Sequence, residues 1–226
     1  MSRVAHKRST SPAAESKNAA IGALRLVSER GAPRPRGRPR DPNVDAALHD
    51  ATLSLLAEGG YPKATIEAVA ERAGLVRPTV YRRYGSRAAL VVATFRAVVA
   101  SGPQTAPDTG DVDADLETLL ERLVKKLTRT RLGRAVQGIV SQVPFDPELA
   151  EAVSALQAER RLLFCEVLVR AEQQGRLKPG LDHDSAYDML AGAIYYRAWF
   201  GQKNKIGPEF LKLLVESVLL PRASAR

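Results

Sequence analysis

From Val44 to Leu219 the apolar residues return every three or four positions, and the runs are cut at intervals by glycine, proline and aspartate. That spacing gathers side chains on one face of an α-helix, whereas a half-buried strand needs strict alternation. Val44, Leu48, Ala51 and Leu55 make the first stripe, opened by Asp41-Pro42 and stopped at Gly59-Gly60. Thr65 opens a second, with Ile66, Val69, Ala70 and Ala73 on one side and Gly74 at its end. A short third helix is expected from near Pro78 to about Tyr84. Ser86 opens a fourth, with Leu90, Ala93, Ala97 and Val98 expected on its buried side. In each case a short polar side chain can accept from the free N–H groups of the first turn, and glycine can close the last one. The segment GPQTAPDTGD, 102–111, reads as a linker. Beyond it, helical stripes run through Leu116, Leu119, Leu120, Leu123 and Leu127, then through Ala135, Ile139, Val140 and Val143 to Pro144. Asp146-Pro147 opens a long helix to Gly175, Asp182 or Asp184 opens the next, and Pro208 the last. No alternating run and no repeat is found, so the fold class is all-α, with about nine helices.

Charge is distributed unevenly along this pattern. The formal net charge is +9, yet residues 101–226 carry equal numbers of acidic and basic side chains. Residues 1–43 hold ten Lys or Arg against three acids. A basic front half points to a polyanion, with a membrane surface as the other candidate. Residues 1–40 are rich in Ser, Ala, Pro, Gly and Arg and are expected to be a mostly disordered basic arm. No apolar run reaches about 18 residues, so no membrane-spanning helix is expected. MSRVAHKRSTS lacks the apolar region of a signal peptide, and the expected location is the cytoplasm. The single Cys165 excludes an internal disulfide, fits a reducing cytosol and is read as a buried thiol.

The segment TIEAVAERAGLVRPTVYRRYGSR, 65–87, places two short helices around a turn at Gly74, the layout of a helix-turn-helix. On a helical wheel Val80 and Tyr84 point inward, Pro78, Thr79 and Arg82 outward, and Tyr81 and Arg83 lie on the flanks. Such an outward face suits the major groove. Arginine can pair with guanine O6 and N7, the threonine methyl can touch a thymine methyl, and the flanking groups can reach phosphates.

Residues 44–95, and most specifically AERAGLVRPTVYRRYGSRAAL, resemble the DNA-binding domain of the tetracycline-repressor (TetR) family of one-component regulators. The resemblance implies Thr65 as a cap touching phosphate. It implies Arg77, Pro78, Thr79 and Arg82 at base edges, with Tyr81 and Arg83 near the backbone. Arg87 stands where the family has a phosphate-contacting lysine, Ala88-Ala89 where an acidic residue is common, and Tyr84 where Phe or Trp is usual. PRGRP, 35–39, resembles the core of an AT-hook. Arg36 and Arg38 are therefore candidates for the minor groove, as part of an arm or an independent hook, with a solvated linker as the bland alternative.

The same resemblance implies a helical C-terminal domain, here 112–222 behind a DNA-binding domain at 41–101, that dimerises and encloses a small-molecule pocket. The dimer face would be 184–201 and 208–220, with Ala191, Gly192 and Ala193 allowing close approach and Leu213, Leu214, Val218 and Leu219 supplying apolar contact. Candidate pocket residues are Gln137, Gln142, Gln157, Arg160, Phe164, Tyr195 and Trp199. No Gly-rich phosphate loop and no His/Cys cluster is found, Asp182-His183-Asp184 is read as a helix cap, and His6 and His49 have no partners in view. The expectation is a regulator and not an enzyme, without cofactor or metal. It binds double-stranded DNA as a homodimer on a near-palindromic operator, as a repressor released by an unknown small-molecule effector. The alternative is an architectural DNA-binding protein without a sensor.

Overall fold

The computed structural model describes residues 41–201 and 205–221; the basic segment 1–40, with Arg36 and Arg38, lies outside them. Among the described residues the chain forms nine α-helices: α1 (Pro42–Lys63), α2 (Ile66–Arg72), α3 (Arg77–Tyr84), α4 (Arg87–Ala100), α5 (Val112–Arg129), α6 (Arg131–Val140), α7 (Pro147–Gln173), α8 (His183–Trp199) and α9 (Pro208–Val218). A short 3₁₀ turn, Val143–Phe145, joins α6 to α7. One isolated antiparallel bridge, Leu177 to Leu219, ties the segment after α7 to the end of α9. The chain is all-α.

The helices start where the sequence supplies an acceptor. Asp41, Thr65, Ser86, Asp111, Thr130, Asp146 and Asp182 each accept from a backbone N–H of the first turn that follows. The helices without such a cap, α3 and α9, carry Pro78 and Pro208 in the first turn instead, where a missing N–H costs nothing. Gly59 and Gly60 leave helical geometry, so the first helical run stops at the expected pair and a short turn follows to Lys63. One expectation needs correction. On α4 the buried residues are Ala88, Leu90, Val91, Thr94 and Phe95, while Ala97 is exposed and Ala93 and Val98 are only partly covered. Turning the helix this way buries Val91 and Phe95, which remove more apolar surface from water than two alanines can. Cys165, too, is only partly buried.

Packing does not divide at the 102–111 segment. One core holds Leu48, Leu56, Val69, Val80, Leu90 and Phe95 from α1–α4, and also Leu132, Ala135 and Ile139 from α6 and Leu149 from the start of α7. The other core joins α5, the second half of α7, α8 and α9, around Leu116, Leu120, Phe164, Leu168, Leu190 and Ile194. The connecting segment is pinned by Asp115, which is fully buried. Its carboxylate accepts from the Thr109 hydroxyl at 2.8 Å and pairs with Arg170 at 3.1 Å.

Helix α6 lies along α1, fastened at both ends. Near its start, Arg131 donates to Asp50 at 2.6 Å and to Ser54 at 2.7 Å. Further along, the backbones touch. A Cβ on Gly138 would lie 2.6 Å from the Gly60 Cα and 2.9 Å from the Leu56 carbonyl oxygen. Gly60 itself has φ +69, and a Cβ there would meet the Gly138 carbonyl at 2.8 Å. Only a pair of glycines permits this approach.

Gly138→Ala should therefore destabilise the protein by about 1–3 kcal/mol, as overpacking does. Helix propensity alone would give the opposite sign by about 1 kcal/mol. Thermal unfolding decides between them, and an unchanged or raised Tm would show that α6 does not rest on α1 as described.

Candidate nucleic-acid interface and ligand cleft

The turn between α2 and α3 is closed by two backbone bonds, Leu75 N–H to the Ala70 carbonyl at 2.8 Å and Gly74 N–H to the Glu71 carbonyl at 3.1 Å. This is the Schellman arrangement, and Gly74 takes its required left-handed conformation at φ +67. Thr65 spends its oxygen as acceptor from the Ala68 N–H at 3.1 Å, capping α2. Val80 is fully buried beneath α3. Pro78 and Arg82 are exposed and Thr79 partly so, which gives α3 the outward face read from the wheel. Tyr81 is 46% exposed beside them. Val76, 66% exposed at the start of α3, adds an apolar residue that the periodicity did not single out. Arg77 is exposed and ion-paired with Glu67 of α2. Its own backbone N–H, and Arg77, hold the Glu67 carboxyl below the usual range. An exposed pair of this kind is weak and easily exchanged for another anion.

Two of the expected phosphate contacts, Arg83 and Arg87, also take part in packing. Arg83 donates to Asp45 of α1 at 2.8 Å, and its side chain is only 14% exposed. The Tyr84 hydroxyl donates to the same carboxylate at 2.8 Å and lies 3.0 Å from His49 Nε2, so His49 has a partner after all. Burial pushes the His49 imidazole below its usual value, against the pull of Asp45. Arg87 lies over the Tyr61 ring, 3.6 Å from its centre, with Nε and Nη2 buried and without hydrogen-bond partners among the described residues. A planar guanidinium can stack in this way where an ammonium cannot, which accounts for Arg in place of Lys. The Tyr61 hydroxyl in turn donates to Asp146 at 2.8 Å; burial first, and then this bond, push it up to about 12. Ser86 donates to Glu148 at 2.6 Å. The segment that follows α3 is thus tied to the start of α7.

The expected pocket residues are brought together in part. A cleft with about 370 Å³ of empty space lies between Phe95 and Val99 of α4, Leu132, Val136 and Ile139 of α6, and Val153, Gln157 and Arg160 of α7. Its interior is narrow, with room for little more than one water-sized molecule. Arg160 donates to Gln157 at 3.2 Å and to the Tyr195 hydroxyl. Tyr195 packs on Trp199 with ring centres 4.8 Å apart, and Phe164 is buried beside Tyr187. Gln137 is exposed and donates to the Trp199 carbonyl at 3.5 Å, and Gln142 sits at the turn between α6 and α7. Sequence reasoning missed the α4 wall and two cations of α5, Arg122 and Lys126, which line an adjoining cleft with Arg160. Their one-turn spacing beside Leu119 and Leu123 was the available signal. On α8 and α9, Ala191, Leu214, Val218 and Leu219 are buried within the monomer. The exposed apolar groups there are Met189, Tyr196, Phe200 and Leu213, with Gly192 open between the first two.

Among the described residues no helix is long and apolar enough to cross a membrane. Residues 48–94 match the family model for bacterial regulatory proteins of the tetR family, and residues 106–218 match that for the tetracyclin repressor-like C-terminal domain. The chain is 32% identical over 163 residues to the HTH-type transcriptional regulator YdeS of Bacillus subtilis, covering 72% of this chain and 81% of that one. It is 27% identical over 176 residues to the DNA-binding transcriptional repressor TetR of Mycobacteroides abscessus, covering 77% and 91%. The crystal structure of a TetR family transcription regulator, SCO0332, matches with a TM-score of 0.59 and 34% identity over 77% of this chain and 96% of that one. With a helix-turn-helix of this geometry and both domains matched, the chain belongs to the TetR family of DNA-binding transcriptional regulators.

Proposed function

We propose that this protein is a cytoplasmic, homodimeric repressor that a small molecule releases from a near-palindromic operator. One observation carries the reading. The helices that wall the cleft, α4 and α6, are the helices joined to the helix-turn-helix: α4 follows α3 directly, and α6 lies against α1 through Gly60 and Gly138. A ligand that parts Val136 and Ile139 from Val153 displaces α6, and α1 with it. The two half-sites of a dimer then no longer match one helical turn of DNA. On this reading residues 41–101 bind DNA and 112–222 dimerise and sense, with Arg77, Pro78, Thr79 and Arg82 at base edges and Tyr81, Arg83, Arg87 and the Thr65 hydroxyl near phosphates. The sensorless architectural alternative rests on the narrowness of the cleft.

The dimer face is assigned to Met189, Gly192, Tyr196 and Phe200 of α8 with Leu213 of α9. Tyr196 and Phe200 are 57% and 68% exposed and stack on each other, a contiguous apolar stripe of the kind that marks an interface. Leu214, Val218 and Leu219 are placed inside the subunit, behind that face.

Selection of bound DNA from a random pool should return a two-fold symmetric motif. Arg82→Ala should relax one position per half-site and cost about 1–3 kcal/mol for each lost bidentate contact. Tyr81→Phe should weaken all sequences alike, as loss of a backbone contact does. An unchanged motif with Arg82→Ala would remove Arg82 from the base-reading face.

Tyr196→Glu should yield a monomer at micromolar concentration in sedimentation, where the parent chain sediments as a dimer. DNA affinity should fall with it, since each half-site then binds alone. A Tyr196→Glu protein that remains dimeric would move the interface elsewhere.

A further inference from the structure

We propose that the effector is an amphipathic carboxylate, held by its carboxyl group among Arg122, Lys126 and Arg160 with its apolar tail between α4, α6 and α7. The proposal rests on the reading that this cleft receives the effector. Arg160 lines two adjoining clefts. One, of about 360 Å³, has Arg122 and Lys126 of α5 opposite it, with Leu119, Leu123 and Phe164 among its walls. The other is the narrow apolar cleft between α4, α6 and α7. Charge is therefore gathered at one end and apolar surface at the other.

Three other partly buried cations, Arg83, Arg170 and Arg176, each face an aspartate. Among the described residues no carboxylate pairs with Arg122, Lys126 or Arg160. Arg122 reaches only the Thr105 carbonyl, at 3.4 Å, and Arg160 only the neutral groups of Gln157 and Tyr195. Burial first, and then the nearby Arg160 and Arg122, push the Lys126 ammonium below its usual value. Removing charge from water without a counter-charge is unfavourable, and an incoming anion reverses the sign of that term.

The neighbouring groups are donors as well. The Tyr187 hydroxyl and Trp199 Nε1 are buried without hydrogen-bond partners among the described residues. Trp199 packs on Tyr195, which meets Arg160, and burial pushes the Tyr187 phenol up to about 12 against the pull of the nearby Arg160. Orphaned buried donors are rare and call for an acceptor. A carboxylate is an acceptor only, and its planar pair of oxygens matches the fork of a guanidinium. A cationic amphipath would meet three like charges, and a neutral one would leave them uncompensated.

The test uses the full-length protein, with Trp199, its single tryptophan, as the fluorescent reporter and calorimetry as the second readout. The probes are straight-chain carboxylates from hexanoate to dodecanoate, with octanamide, octyltrimethylammonium and inorganic phosphate beside them. Carboxylates should bind more tightly as the chain lengthens, with octanoate at least about ten-fold tighter than octanamide, the scale of one charged hydrogen bond. Arg160→Gln and Lys126→Met should each weaken octanoate about ten-fold and leave octanamide unchanged. If Arg160→Gln fails to fold, Lys126→Met alone decides, since its side chain makes no hydrogen bond among the described residues. Equal binding of octanamide or phosphate, binding of no carboxylate, or octanoate affinity unaffected by the substitutions would overturn the assignment. Fluorescence anisotropy with operator DNA separates this from the wider reading. A neutral or cationic probe that releases DNA while no carboxylate binds overturns the carboxylate and leaves the sensor. Carboxylates that bind as expected without lowering DNA affinity support the site and overturn the repressor-release reading.

Discussion

At Gly60 and Gly138 two helices approach until their backbones are in contact, and much of the structure follows from that one approach. Side chains on α1 and α6 normally hold helix axes about 8–10 Å apart. Removing both Cβ atoms lets α6 settle against α1, so that Leu132, Ala135 and Ile139 enter the core built by α1–α4. A helix that lies beyond the linker in sequence becomes part of the DNA-binding half in space. The same contact fixes one wall of the apolar cleft, since Val136 and Ile139 lie on α6 beside Gly138. Packed interfaces of this kind shift between discrete arrangements and do not deform smoothly, which makes the contact a suitable place for two sites to meet.

Helix α3 is held by a different kind of interaction. Eight residues are too few for α3 to be stable alone. Val80 anchors it in the core, and Asp45 of α1 receives both Arg83 and Tyr84 from the far end of the helix. These groups turn one face of α3 inward and leave Pro78, Thr79 and Arg82 outside. Tyr84 needs a polar partner in this position because its ring is covered while its hydroxyl must be satisfied. Asp45 and His49 supply it.

The electrostatics of the two halves differ in character. In the DNA-binding half Arg77 and Arg82 of α3 are exposed, and the pair of Arg77 with Glu67 is solvent-exposed and weak. In the C-terminal half three partly buried cations are matched by carboxylates: Arg161 by Asp184 and Asp188, Arg170 by Asp115 and Arg176 by Asp113. Arg122, Lys126 and Arg160 have no such carboxylate among the described residues; they line one cleft together, and Arg160 lines the apolar cleft as well.

The sequence by itself determined the number and order of helices, because caps and apolar periodicity are local signals that act within one turn. Thr65, Gly74 and Ser86 perform there what their chemistry predicts. It also determined that Val80 faces inward and Arg82 outward, since rotation about a short helix follows from its own spacing. What lies across from each helix was not legible. The pairing of Arg83 with Asp45 carries no sequence signal, because the two lie 38 residues apart in the chain. The stacking of Arg87 on Tyr61 carries none either, because it depends on where α1 ends. The buried side of α4 shifted from Ala93 and Ala97 to Val91 and Phe95 because neighbouring helices decide which apolar side chains can be covered. The Gly60–Gly138 contact and the meeting of Arg160 with Arg122 and Lys126 belong to tertiary structure alone: each joins residues whose separation in sequence carries no local signal, and only the packed helices bring them together.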